Sequence, residues 1–131
     1  MDRVAAAAGE GHTVLLRDAG EAVAFGYNPF GHNDQWLCAV PARPAGTRYV
    51  AAAAGYRHSI LLRDDGEAVA FGFNGSGQCN VPAWPAGTRY VAAAAGNCHS
   101  ILLREDGEAV AFGDNTHGQC TIGRNVLDAI T

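Results

Sequence analysis

The stretch from Tyr49 to Phe71 carries short apolar runs cut by glycine and by polar pairs, a punctuation that predicts strands rather than helices. Tyr49 to Ala54 reads as a first strand, ended by a turn at Gly55-Tyr56-Arg57. His58 to Arg63 follows as a second strand, and Asp65-Gly66 is a dipeptide that takes the positive φ values of a tight two-residue hairpin. Glu67 to Phe71 returns as a third. Gly72, Asn74 and Gly77 then make an irregular loop, and Gln78 to Val81 is expected as a short outer strand ended by Pro82. The alanine run favours helix by propensity, but a glycine follows within six residues, too few for a helix to hold in water. Strands apolar on both faces, with alanine at positions of close contact, suit sheets stacked face to face as radial blades. One such unit cannot bury both of its faces, so its stability must come from neighbouring units.

The same pattern occurs three times. Val-Ala-Ala-Ala-Ala-Gly starts at Val4, Val50 and Val91, spacings of 46 and 41 residues, and His12, His58 and His99 keep those offsets. So do the Phe-Gly pairs at Phe25, Phe71 and Phe112 and the asparagines Asn28, Asn74 and Asn115. The longer first period comes from five additional residues, His32 to Trp36, after which Cys38, Cys79 and Cys120 return at intervals of 41. Between residues 48–82 and 89–123, 26 of 35 positions are identical, so the units are recent duplicates. The chain divides into units of about 1–47, 48–88 and 89–131 within a single repeat domain.

The 131 residues are 48% hydrophobic and 17% charged, a globular balance, and 17 glycines with one methionine suit a turn-rich all-β chain. A formal net charge of −4 argues against a nucleic-acid partner, since phosphate binding needs a concentrated basic surface. All nine basic residues are arginine. The sequence shows no basic leader with an apolar core and no apolar run of membrane-spanning length, so a cytoplasmic or nuclear location without a membrane partner is expected. In that reducing setting the four cysteines are expected as free thiols.

With these residues in view, the repeat Ala-Gly-x-x-His-Ser-Ile-Leu-Leu-x-x-Asp-Gly-Glu-Ala-Val-Ala-Phe-Gly-x-Asn-x-x-Gly-Gln-Cys resembles that of the regulator of chromosome condensation family, from Val4 to about Ile122. The resemblance implies an all-β partial β-propeller of three four-stranded antiparallel blades. Members of the family usually have seven blades, and three fall below the four to eight that close a ring. An incomplete ring implies a piece of a longer protein, a homo-oligomer completing the ring, or a marginally stable product. Members serve as exchange factors for a small GTPase, as partner-binding parts of ubiquitin ligases, as a plant ultraviolet sensor and as secreted bacterial inhibitors of β-lactamase. The implied function is a non-catalytic protein-protein interaction module of a scaffold, exchange factor or ubiquitin ligase. The alternative is an inhibitor that blocks an enzyme through loop contacts. Trp36 and Trp84 lie outside the Gly-x-x-His turn, which does not fit the clustered tryptophans of the light sensor.

No catalytic constellation is legible. The three repeat histidines lack Cys-x-x-Cys or His-x-x-x-His partners, so they are expected to hydrogen-bond neighbouring backbone rather than hold a metal, and no cofactor is implied. Cys38, Cys79 and Cys120 read as small core residues opening the outer strand, while Cys98 stands in a turn and is expected to be exposed. It adjoins His99, but adjacent strand residues point to opposite faces and make no catalytic pair. The copies differ mainly in loops: Glu10-Gly11, Tyr56-Arg57 and Asn97-Cys98 in one turn, and Tyr27, Phe73 and Asp114 with the residues after them in another. Aromatics and arginine are the types that anchor interfaces, so Tyr27, Phe30, Trp36, Tyr56, Arg57 and Phe73 are the candidate contacts to a protein partner.

Overall fold

A computed structural model describes residues 5–26, 39–83 and 88–122. Each unit folds into one antiparallel sheet of three strands, with no helix among the described residues. The first sheet holds β1 (Ala5–Ala8), β2 (His12–Leu16) and β3 (Ala22–Gly26); the second, β4 (Tyr49–Ala54), β5 (His58–Arg63) and β6 (Ala68–Gly72); the third, β7 (Tyr90–Ala95), β8 (His99–Arg104) and β9 (Ala109–Gly113). The alanine runs are strands, because glycine stops leave each too short for a helix while the adjacent Leu-rich strand offers a full ladder.

The sheets stack, and alternation along the strands decides what each face meets. Val14 and Leu16 of the first sheet pack with Leu61 and Phe71 of the second. Ile60 and Leu62, one position out of phase, point the other way, onto Leu102 and Phe112 of the third. The middle sheet is therefore buried on both sides, and β5 is buried from His58 to Leu62. Tyr49 and Tyr90 tie the linking segments to this stack through hydroxyls that donate to the carbonyls of Pro41 and Pro82 at 2.6 and 3.1 Å.

The hairpins differ from the sequence expectation. Arg63 N–H donates to Glu67 O at 2.8 Å and Gly66 N–H to Arg63 O at 3.0 Å, which makes a three-residue turn. Within this turn positive φ occurs at Gly66 alone, at 90°, so Asp65 does not adopt the mirror-image conformation of a two-residue type I′ loop. Asp65 instead accepts from Glu67 N–H and binds Arg63 through a salt bridge at 2.5 Å. Gly66 also lies where a Cβ would come within 2.9 Å of the Arg89 side chain of the next unit, whereas Gly107, with the same φ of 90°, has open space there. Gly66→Val is thus expected to cost about 2 kcal/mol and Gly107→Val about 1 kcal/mol. Urea denaturation checks this; equal costs would remove the Arg89 contact from the account.

Among the described residues the expected fourth strand does not form. Gln78 to Val81 is a run of tight turns in which Asn80 N–H donates to Gly77 O and Val81 N–H to Cys79 O. Cys79 N–H donates to Asn74 Oδ1 at 2.8 Å and Ser76 N–H to Gln78 Oε1 at 2.8 Å. Asparagine and glutamine side chains thereby take the donors that a ladder would need. The third unit repeats this with Cys120 N–H on Asn115 Oδ1 and His117 N–H on Gln119 Oε1. The sheets are three-stranded, and Cys79 and Cys120 are half-buried loop residues rather than the openings of strands.

Candidate functional site

The turns that differ most between copies lie at one end of the stack. Each joins a first to a second strand, and the register pairs His12 with Gly26, His58 with Gly72 and His99 with Gly113, so the third strands end there too. Each turn closes by one short bond: Gly9 N–H to His12 O, Gly55 N–H to His58 O and Gly96 N–H to His99 O, all between 2.9 and 3.0 Å. Successive turns also touch, with Tyr56 N–H donating to Gly96 O at 3.3 Å. Glycine is required at this crossing, since a Cβ on Gly55 would fall 2.3 Å from Gly96 O and 2.4 Å from the His58 ring.

The turns enclose a shallow cleft of about 260 Å³ whose lining includes Glu10, Tyr56 and Asn97, the first variable position of each turn. Invariant alanine and glycine form its floor. Arg57 stacks on Tyr56, its guanidinium 4.7 Å from the ring centroid, and donates to the phenol oxygen at 3.1 Å. Both side chains are half-buried and mutually braced, which lowers the ordering cost of a contact made through them.

Phe73 shares this end through its N–H, which donates to Arg57 O at 2.8 Å. Its ring folds back over its own loop, where a Cβ on Gly75 would lie 2.3 Å from it. Phe73 therefore braces the loop beside the Tyr56-Arg57 pair. Tyr27, Phe30 and Trp36 lie outside the described residues. Cys98 is half-buried rather than exposed, because its carbonyl is held by Asp114 N–H at 2.8 Å as Arg57 is by Phe73.

Two of the three repeat histidines, His12 and His58, have hydroxyl partners. His12 Nε2 meets Ser59 Oγ and His58 Nε2 meets Ser100 Oγ, each at 2.8 Å and each on the next sheet. Ser100 Oγ donates its single proton to Gln78 O at 2.8 Å, so it accepts from His58 Nε2–H, and Nδ1 is left as a buried acceptor without a hydrogen-bond partner. Burial pushes His58 down to about 4, with the His99 backbone pulling the other way. Burial likewise lowers His12 and raises the Cys79 thiol to about 11, far from a reactive thiolate. Sequence reading missed these hydroxyl partners; the signal was the residue after each histidine, Thr13, Ser59 and Ser100.

The family model for the regulator of chromosome condensation (RCC1) repeat matches residues 49–78 and 90–119, the second and third sheets with their turns. Residues 49–78 and 90–119 are RCC1 repeats. Solved structures agree in fold. Human WBSCR16 superposes with a TM-score of 0.73 at 23% identity, over 93% of this chain and 38% of that one. Yeast RCC1 (Prp20), solved bound to Kap60, gives 0.72 at 25% over 92% of this chain and 32% of that one. Prp20p of Saccharomyces cerevisiae, described with its binding properties to Gsp1p and histones, gives 0.73 at 25% over 92% and 33%. The chain spans about a third of the length of those proteins. Among curated proteins, sequence comparison finds no match. The three sheets are blades of the RCC1 propeller type.

Proposed function

We propose that this chain is a non-catalytic protein-interaction module whose contacts are made by the turn cluster at one end of its blades. The observation that carries the reading is the contrast between a blade body kept almost unchanged from copy to copy and turn tips that gather Glu10, Tyr56 and Asn97 around one cleft, with Arg57 stacked on Tyr56. A rigid scaffold presenting unlike side chains from successive repeats suits recognition of a protein surface. The stacked Tyr56-Arg57 pair supplies the aromatic and guanidinium groups that dominate such contacts. Kap60 bound to yeast RCC1 and the Gsp1p and histone binding described for Prp20p support a protein partner in general terms. A place in a scaffold, an exchange factor or a ubiquitin ligase would follow from whatever accompanies the module.

Tyr56→Ala with Arg57→Ala is expected to weaken binding tenfold or more while leaving the melting temperature nearly unchanged, as loss of an interface anchor does. Affinity capture from cell extract with quantitative mass spectrometry compares this variant with Glu105→Ala, at a hairpin at the other end of the third blade. Partners kept by both variants, or lost equally by both, would place the contact surface elsewhere.

A further inference from the structure

The hairpins at the end of the blades away from the cleft treat one arginine in two ways. Arg63 and Arg104, the last residues of β5 and β8, each pair with the aspartate two residues on, Asp65 at 2.5 Å and Asp106, and their side chains are 16% and 13% exposed. The hairpins Arg17 to Glu21 and Arg63 to Glu67 differ at one position, Ala19 in place of Asp65. Arg17 is accordingly exposed, and its side chain has no hydrogen bond or ion pair among the described residues.

Arg17 lines a cavity of about 440 Å³ at the joint between the first and second blades, a volume in the range of ligand pockets. Arg48 lines it from the second blade's side, with one Nη2 proton donated to Asp18 O and its Nε and Nη1 donors left over. Two guanidiniums against the single carboxylate of Asp18 make the lining basic in a chain of net charge −4. Leu16, Tyr49 and Val50 supply an apolar wall. The walls are fixed without a ligand: Tyr49 N–H donates to Gly20 O at 2.9 Å, Asp64 N–H to Arg48 O at 2.8 Å, and the Tyr49 hydroxyl to Pro41 O.

The second joint shows which group this lining accepts. Every residue around the cavity has an identical counterpart there, Arg17 in Arg63, Arg48 in Arg89 and Tyr49 in Tyr90 among them. At that joint the hairpin brings its own carboxylate to the arginine. We infer that the cavity at the first joint is a binding site for a carboxylate ligand, which pairs with Arg17 as Asp65 pairs with Arg63. The planar fork of Arg17 suits a two-pronged pair with the carboxylate, Arg48 adds a second positive charge beside it, and the apolar wall takes the ligand's stem. A free small carboxylate and an acidic side chain of a peptide present the same group.

The test is heteronuclear NMR of the arginine Nε–Hε groups in the whole chain, titrated with succinate, with acetyl-Ala-Glu-Ala-amide and with inorganic phosphate, at an ionic strength held constant with chloride. The Arg17 signal, assigned by its loss in Arg17→Ala, is expected to shift and saturate with both carboxylates. Ala19→Asp restores the residue of the other hairpins, so its own carboxylate competes at high effective concentration and is expected to weaken binding tenfold or more. Asp65→Ala frees Arg63 and is expected to add a second saturating signal. Saturation at lower concentration by the peptide assigns the site to an acidic side chain of a partner, and by succinate to a small molecule; either supports the inference. A drift no larger than chloride alone produces overturns it, as does equal binding by the wild type and Ala19→Asp, which would place the ligand away from Arg17. An Arg63 signal that stays silent in Asp65→Ala overturns the argument from the second joint, and tighter binding of phosphate overturns the choice of carboxylate. None of these outcomes depends on the Tyr56-Arg57 cleft.

Discussion

Leu61→Ala is expected to cost about 3 kcal/mol, against less than about 1 kcal/mol for Leu15→Ala, although the two leucines hold the same place in the same repeat. Leu61 sits on β5, the strand sealed on both sides, and its removal leaves a cavity against Val14 and Leu16 that a stacked sheet cannot collapse to fill. Leu15 faces outward from the first blade and has already kept part of its contact with water. Urea denaturation of both variants, at protein concentrations low enough to keep the chain single, reads the difference as a shift in midpoint at constant slope. With total stability of roughly 5–15 kcal/mol for a domain of this kind, the Leu61 change is a large fraction of it. Similar costs at the two positions would show that the blades do not stack in this order.

Most of the blade was legible in the chain. Strand positions in the middle unit follow from alternation and glycine punctuation, so β4 and β5 match the expected Tyr49–Ala54 and His58–Arg63 and the third strand moves by one residue. The duplicated sequence also made the stacking legible, because β5 carries apolar residues on both faces and only two neighbours can bury them. The outer strand was misread because Gln78-Cys79-Asn80-Val81 has the composition of a strand edge. What decides its shape is capture of Cys79 N–H by the Asn74 side chain and of the Asn80 and Val81 N–H groups by the tight-turn carbonyls of Gly77 and Cys79, a choice that composition does not encode. The hairpin was misread for a related reason. Asp-Gly serves both a two-residue and a three-residue turn, and the Arg63-Asp65 ion pair goes with the latter.

The candidate site divides along the same line. Divergence between copies pointed to Tyr56 and Arg57, and the stack brings Tyr56 together with Glu10 and Asn97 from other units. Phe73 stood out because it is aromatic and variable, and its ring lies against Gly75 of its own loop. The histidines were the reverse case. His-Ser adjacency places the two side chains on opposite faces of one strand, so the bond that matters runs from His58 to the serine of the next copy, Ser100, 42 residues on. Such a bond exists only once the blades are stacked. Folding of each blade and docking of the next are therefore one event at these positions.

That coupling gives the second large prediction, a loss of stability as pH falls through the window between about 6.5 and about 4. In the unfolded chain the His58 imidazole takes up a proton near its ordinary value of 6.5, while in the folded chain burial holds it neutral until about 4. Across that interval the unfolded state binds the additional proton, so acid favours unfolding. The contribution is fully present above pH 6.5 and is gone below about 4. Its size follows from the shift: about 2.5 units at 1.36 kcal/mol each is roughly 3 kcal/mol. The cause is geometric. Burial strips the charged imidazole of water, the His99 backbone offsets this only in part, and His12 and His99 on either side add repulsion, while Nε2–H stays committed to Ser100. Denaturation curves for the wild type and for His58→Gln at pH 7.5, 6, 5 and 4 separate this term from carboxylate titration, which both proteins share. The variant is expected to be less stable at pH 7.5 and to fall more gently below 6.5, by up to one proton in slope. Parallel curves would mean that the buried imidazole contributes nothing to acid sensitivity and that the joint opens by another route.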